Sequence, residues 1–280
     1  MQREQEAFRR PQGVISRPAP ARITRWAKSV VRAAELLRTL TESDLRFRYG
    51  RGPWRFIRWL LEPVAVVGVY LILITFVLDK SGTAPGLSLA CAVVPFQLVI
   101  LTIGNAMGAL ELRKPILLNM AFNRMLIPPS SALSESVGFG ASLLLIFTMM
   151  AIYEIPPTWN ILWFPLVFVV NLFLAAAAAY PAVLFSIWLR ELRAFVLSFV
   201  RILFFLGPSL IPLSETSPGT RSILRLNPLT GLFEAYRDVF LYGRTPALWE
   251  LLFPLAAATL LLAVFLPIYR LEQRQFAKVI

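Results

Sequence analysis

Residues 155–189 read IPPTWNILWFPLVFVVNLFLAAAAAYPAVLFSIWL, with no charged side chain between Glu154 and Arg190. A helix rises about 1.5 Å per residue, so about 20 such residues already cross a hydrocarbon core of about 30 Å. The stretch therefore predicts a lipid-spanning helix. Working outward, the remaining apolar blocks predict five more, giving spans near 58–78, 87–110, 134–153, 161–189, 194–213 and 250–269. Composition agrees: the 280 residues are 57% hydrophobic and 16% charged, against about 25% charged in a typical soluble domain. Prolines inside the blocks (Pro63, Pro95, Pro165, Pro181, Pro208, Pro254 and Pro267) are compatible with spans, because neighbouring helices satisfy the carbonyls they free.

Several chemistries are excluded by residue type. Histidine is absent and Cys91 is the single cysteine, which removes the commonest general base, a disulfide framework and a thiolate metal site. No G-x-x-x-x-G-K-[ST] or H-E-x-x-H pattern occurs, so the chain carries neither a P-loop nor a zincin site. The net charge of +12 is not a nucleic-acid signal, because the basic residues gather at the ends of apolar blocks. With six spans, 22 basic residues fall on the side of the termini and five on the other. The positive-inside rule then places both termini in the cytoplasm, and the arginine- and alanine-rich composition hints at a bacterial source.

The first 20 residues, MQREQEAFRRPQGVISRPAP, are polar and proline-interrupted and read as a flexible cytoplasmic tail. Residues 21–57 form a basic amphipathic segment. Ile23, Trp26, Val30, Ala34 and Leu37 recur at helical spacing, with Arg22, Arg25, Lys28 and Arg32 opposite, as in helices that lie in an anionic membrane interface. Trp26, Arg25, Trp54, Arg58 and Glu62 are the expected membrane and headgroup contacts. Glu62 is also placed to pair with Arg58 one turn away. The six-span domain then runs over 58–280. Between spans five and six, Leu229, Leu232, Phe233, Tyr236, Val239 and Phe240 make an apolar stripe opposite Glu234, Arg237 and Asp238. This segment is too short and charged to cross, and it predicts two short interfacial or re-entrant helices broken at Asn227-Pro228.

Charges inside spans are costly and mark function by default. Arg201, in the fifth span, should face a neighbouring helix, a water-filled path or an anionic group. Phe195 and Phe199 beside it, with Tyr70 and Phe76 in the first span, offer stacking surfaces along a path, or plain packing and lipid contact. Gln97, Asn105 and Asn171 serve either as interhelical hydrogen-bonding groups or as substrate contacts.

Five blocks, in order, resemble the ABC-2 permeases that export polysaccharides: ESDLRFRYGRGPWRFIRWLLEPV (42–64), LNMAFNRMLIPPSSALSESV (118–137), LRELRAFVLSFVRILFFLGPSLIPL (189–213), LNPLTGLFEAYRDVFL (226–241) and YRLEQRQFAKVI (269–280). Glu191 stands where the family more often has aspartate. The resemblance implies a homodimeric permease that works with two copies of a separate ABC ATPase. Its substrate would be a lipid-linked glycan such as an O-antigen, capsule, teichoic-acid or cell-wall galactan precursor. ATP and Mg would be bound by the partner, and this chain would carry no cofactor, no catalytic residue and no nucleic-acid site. An exporter of drugs or small lipids and a membrane-bound glycosyltransferase are the alternative readings. Without a P-loop, the chain must be driven through cytoplasmic surface. A short helix over Ile116–Leu126 would present Leu118, Phe122 and Met125 to a groove of the ATPase, with Arg124 pairing an acid at its rim.

Overall fold

The computed structural model describes residues 22–49, 54–72, 84–113, 123–189 and 191–273, mostly helical with short turns and irregular connections, and with no strand among them. Two compact units are present, Met1–Leu36 and Leu37–Ile280. In the first, the described residues belong to helix α1, Arg22–Tyr49. The second holds the rest of α1, followed by α2 (Trp54–Ile72), α3 (Pro85–Leu112), α4 (Ile127–Ile152), α5 (Phe164–Trp188), α6 (Leu192–Phe205), α7 (Pro218–Leu224), α8 (Pro228–Phe240) and α9 (Leu248–Glu272). Short 3-10 turns at Arg124–Leu126, Trp159–Trp163 and Leu213–Glu215 lead into α4, α5 and α7.

Helix α3 is the axis, packed by α2, α4, α5, α6 and α8. Its small residues, among them Gly86, Ala90, Cys91, Ala92, Ala106 and Ala109, are all buried; they let backbones approach where lipid supplies no hydrophobic drive between helices. The run Ala175–Ala179 does the same for α5, and Asn171 donates to the Pro95 carbonyl (3.4 Å) and bonds the Tyr236 hydroxyl (3.2 Å) across the α3–α5–α8 junction. Helix α9 is the outermost of these elements. Its Leu248, Leu252, Leu260, Val264 and Leu271 are exposed, as befits side chains solvated by hydrocarbon.

Four segments are long and apolar enough to cross a membrane: Pro85–Leu112, Arg124–Ile152, Trp159–Trp188 and Leu248–Glu272. They coincide with the second, third, fourth and sixth predicted spans, and the chain is a multi-pass membrane protein. The first predicted span begins in α2, and its C-terminal part, residues 73–78, lies outside the described residues. The fifth differs from expectation. Helix α6 has 14 residues, about 21 Å of rise, and ends before Gly207-Pro208. Pro208 has no N–H with which to continue the ladder. The carbonyls left at this end are taken by side chains from further along: Asn227 donates to the Leu203 oxygen, while Arg237 donates to the oxygens of Pro208 (2.6 Å) and Ser209 (2.9 Å).

The returning segment also breaks where the sequence places the break. Asn227 caps α8, accepting from the Leu229 N–H at 3.0 Å, and Pro228 occupies the first turn. What the apolar stripe did not show is that α8 is buried on every side from Leu229 to Phe240. Glu234, Arg237 and Asp238 do not form a solvated face. Gly231 permits this close approach: a Cβ there would lie 2.6 Å from the Glu250 carbonyl oxygen at the start of α9.

Candidate functional site

A groove of about 360 Å³ opens between α2, α3 and α6. Phe96 and Phe204 close one side with ring centroids 4.4 Å apart, Phe205 stands edge-on to Phe204 at 5.4 Å, and Gln97, Asn105 and Arg201 supply the polar atoms. Gln97 and Ile100 come from the middle of α3 and line the same groove as Arg201, so the guanidinium sits about halfway along the bundle. A basic side chain at that depth costs about 2.5–3.5 kcal/mol on insertion scales. Arg201 is exposed in the isolated chain and has neither a hydrogen bond nor an ion pair to any described residue. Asn105 is already engaged, its amide donating to Glu135 of α4.

The other expected path residues separate from it. Phe195 and Phe199 lie on the outward face of α6, 67% and 52% exposed. The Tyr70 side chain and the whole of Phe76 lie outside the described residues, as do Leu118, Phe122 and the side chains of Trp26, Arg25, Trp54, Arg58 and Glu62.

One end of the bundle gathers the C-termini of α3, α5 and α9 with the N-termini of α4 and α6. Here the guanidinium of Arg124 donates to the Gln273 carbonyl, the Tyr269 hydroxyl donates to the Arg124 carbonyl (3.2 Å), and the Tyr180 hydroxyl donates to the Met125 carbonyl (3.0 Å). Arg124 and Met125 thus stand in a turn gripped by α5 and α9. At the same end Arg113 pairs with Asp44 of α1, both buried, and Ser134 adds a contact to Asp44 at 3.4 Å. Arg193 forms a two-pronged pair with Glu111 at 3.0 and 3.1 Å. Sequence reasoning missed the Asp44–Arg113 pair because neither residue lies inside an apolar block. Glu135 was legible as a lone acid within the third predicted span.

The opposite end carries a second polar cavity of about 380 Å³, lined by residues including Arg221, Arg225, Arg244, Asp238, Trp249 and Glu250. Arg244 pairs with Asp238 at 2.7 Å, and Arg225 lies 4.9 Å over the Trp249 ring. Burial pushes the Asp238 carboxyl above the usual carboxylate range, against the pull of Arg244. Beneath this layer every nitrogen of Arg237 is engaged: besides the two carbonyls just past the end of α6, it binds Glu234 at 2.7 Å and the Ser88 hydroxyl at 3.0 Å. Among the described residues no cluster of three or more Cys, Asp or Glu is arranged to hold a metal ion.

The bundle, the short sixth helix and its buried returning segment are the frame against which similarity can be judged. No family model matches the chain. It is 27% identical over 246 residues to the O-antigen export system permease protein RfbA of Myxococcus xanthus, covering 87% of this chain and 94% of that protein. The chain is similar to an O-antigen export permease along most of its length. Two O-antigen export system permease proteins RfbA of Klebsiella pneumoniae are each 22% identical to it over 211 residues, 75% of this chain and 81% of theirs. A continuous match over 87% of the chain takes in α3 to α8 wherever its ends fall. The likeness to the O-antigen export permeases therefore extends over the Arg201 groove and the Arg237 cluster.

Proposed function

We propose that the chain is the membrane-spanning subunit of an ATP-driven exporter that moves a lipid-linked polysaccharide of O-antigen type across the bacterial cytoplasmic membrane. The observation that carries this reading is the similarity to O-antigen export permeases over 81–94% of their length, in a chain that has several apolar helices and no P-loop. Two copies of the chain enclose the path, because one bundle built around a packed α3 has no lumen for a sugar polymer. Two copies of a separate ATPase bind ATP and Mg. The basic end of the bundle, with both termini, faces the cytoplasm, and α7 and α8 form a re-entrant pair on the outer side. Force from the ATPase enters through residues 113–126, with Leu118 and Phe122 as apolar anchors and the Arg124–Met125 turn passing it to α5 and α9.

The deciding experiment is reconstitution in vesicles with the cognate ATPase and a radiolabelled lipid-linked glycan. ATP-dependent protection of the glycan from an external glycosidase is expected, together with a mass of two permease and two ATPase chains. Export of small lipids or drugs without any movement of glycan overturns the substrate assignment. Sugar incorporation by the chain alone overturns the permease reading.

A further inference from the structure

Arg201 keeps its charge at mid-bundle with no protein partner among the described residues, and the groove around it restricts what can supply one. Glu135, an acid carried within α4, is bonded by Asn105 and makes no ion pair with Arg201. Gln97, which lines the same groove, is only 8% exposed and bonds no described residue. The lining thus offers a planar, permanently charged fork and a free carboxamide, with no carboxylate among its residues. The walls are aromatic and aliphatic, with Phe96, Phe204 and Phe205 among the lining residues.

Each simpler occupant leaves one half of the groove unmatched. A neutral lipid covers the rings and strands the guanidinium in hydrocarbon. A free inorganic anion pairs the guanidinium and leaves the rings against water. An amphiphile with an anionic head matches both, and a guanidinium fork binds phosphate through two parallel hydrogen bonds. A cavity of about 360 Å³ lies within the range of small-molecule sites and takes a headgroup and the first carbons of a chain.

We propose that the α2–α3–α6 groove is a binding site for the phosphate of a long-chain lipid, held by Arg201 and Gln97, with the chain laid against Phe96, Phe204 and Phe205. Two sources share this chemistry: the phosphate of a polyprenyl carrier and that of an ordinary phospholipid. Assignment to the carrier rests on the exporter reading above; the site itself does not.

The test uses the full chain in discs of zwitterionic phosphatidylcholine, with a photoreactive polyprenyl phosphate and the matching polyprenol, and maps adducts by mass spectrometry. Capture on α3 and α6 is expected to favour the phosphate at least about tenfold. It should fall about tenfold in Arg201→Gln, fall less in Arg201→Lys, and weaken in Gln97→Leu. Unlabelled phosphatidic acid is then titrated against the probe: equal competition identifies a general phospholipid site and weak competition a carrier site, and both uphold a lipid phosphate. Equal capture of polyprenol and its phosphate, unchanged capture in Arg201→Gln, or displacement by equimolar inorganic phosphate overturns the proposal. If Arg201→Gln does not fold, judged by size exclusion, the phosphate-to-polyprenol ratio in the native chain and the Gln97→Leu variant decide. Export is measured in parallel with the same purified chains reconstituted with the ATPase in vesicles. Capture without any export refutes the exporter and leaves the site, whereas export without selective capture refutes the site alone.

Discussion

The Arg237 guanidinium lies 2.7 Å from the Glu234 carboxylate one turn away on α8, and the two side chains are 0% and 5% exposed. Glu234 also accepts the Leu213 N–H at 3.1 Å, so the pair ties α8 to the chain leaving α6. Burying such a pair has a large desolvation cost, repaid only when the remaining donors are satisfied. Here the carbonyls of Pro208, Ser209 and Ser88, together with the Ser88 hydroxyl, give every remaining nitrogen of the guanidinium a partner.

Removing Arg237 alone leaves Glu234 buried without its partner and uncaps the end of α6. Arg237→Met is expected to destabilise the chain by about 3–5 kcal/mol, whereas Arg237→Met with Glu234→Met recovers a substantial part. Thermal unfolding in detergent checks this; additive losses in the double variant would refute the coupling.

Gly231 is the second fixed point of the returning segment. An added methyl group lands 2.6 Å from the Glu250 carbonyl oxygen and 3.1 Å from Pro254 Cδ. Because the first of these is backbone, α8 or α9 must shift. Gly231→Ala is expected to cost about 1–3 kcal/mol in the same unfolding assay, while Gly219→Ala, where nothing lies within 4 Å, should be close to neutral.

At the opposite end, Asp44→Ala leaves the Arg113 charge buried with its main partner gone. A loss of about 3–5 kcal/mol is expected, with faster proteolysis within residues 37–49 than in the parent chain. Unchanged cleavage and unfolding would show that the pair does not hold this part of α1.

Tyr180→Phe and Tyr269→Phe each delete one hydroxyl bond to the Arg124–Met125 turn, worth about 0.5–1.5 kcal/mol. If the turn transmits force, ATP hydrolysis by the reconstituted complex should persist while export per ATP falls. Phe122→Ala should instead weaken copurification of the ATPase by about 2 kcal/mol of binding. Equal coupling in the parent and both tyrosine variants would remove the turn from the route.

Cysteine labelling tests the orientation. With buried Cys91 as the only native thiol, Thr245→Cys is expected to react with an impermeant reagent on intact cells. Gln273→Cys should react only after permeabilisation. The reverse pattern inverts the topology.

The apolar run 155–189 and its counterparts determined on their own that the chain crosses a membrane and where α3, α4, α5 and α9 lie, because hydrocarbon demands long uncharged helices irrespective of their neighbours. Local chemistry at Asn227-Pro228 likewise determined the start of α8, since a cap and a missing N–H act within one turn. Tertiary structure alone decided how charges are distributed once the helices pack. In α8 the sequence alternates apolar and charged positions as a half-wet helix does, yet Arg237 is buried because it is paired with Glu234 and with carbonyls 28 and 29 residues away. The carbonyls left where α6 stops before Gly207-Pro208 are likewise taken by side chains distant in sequence. The grip of Tyr180 and Tyr269 on the Arg124–Met125 turn joins residues 55 and 145 positions apart. Periodicity reports which face of a helix is apolar, but a long-range hydrogen bond requires knowing which polar groups meet, and only packing settles that.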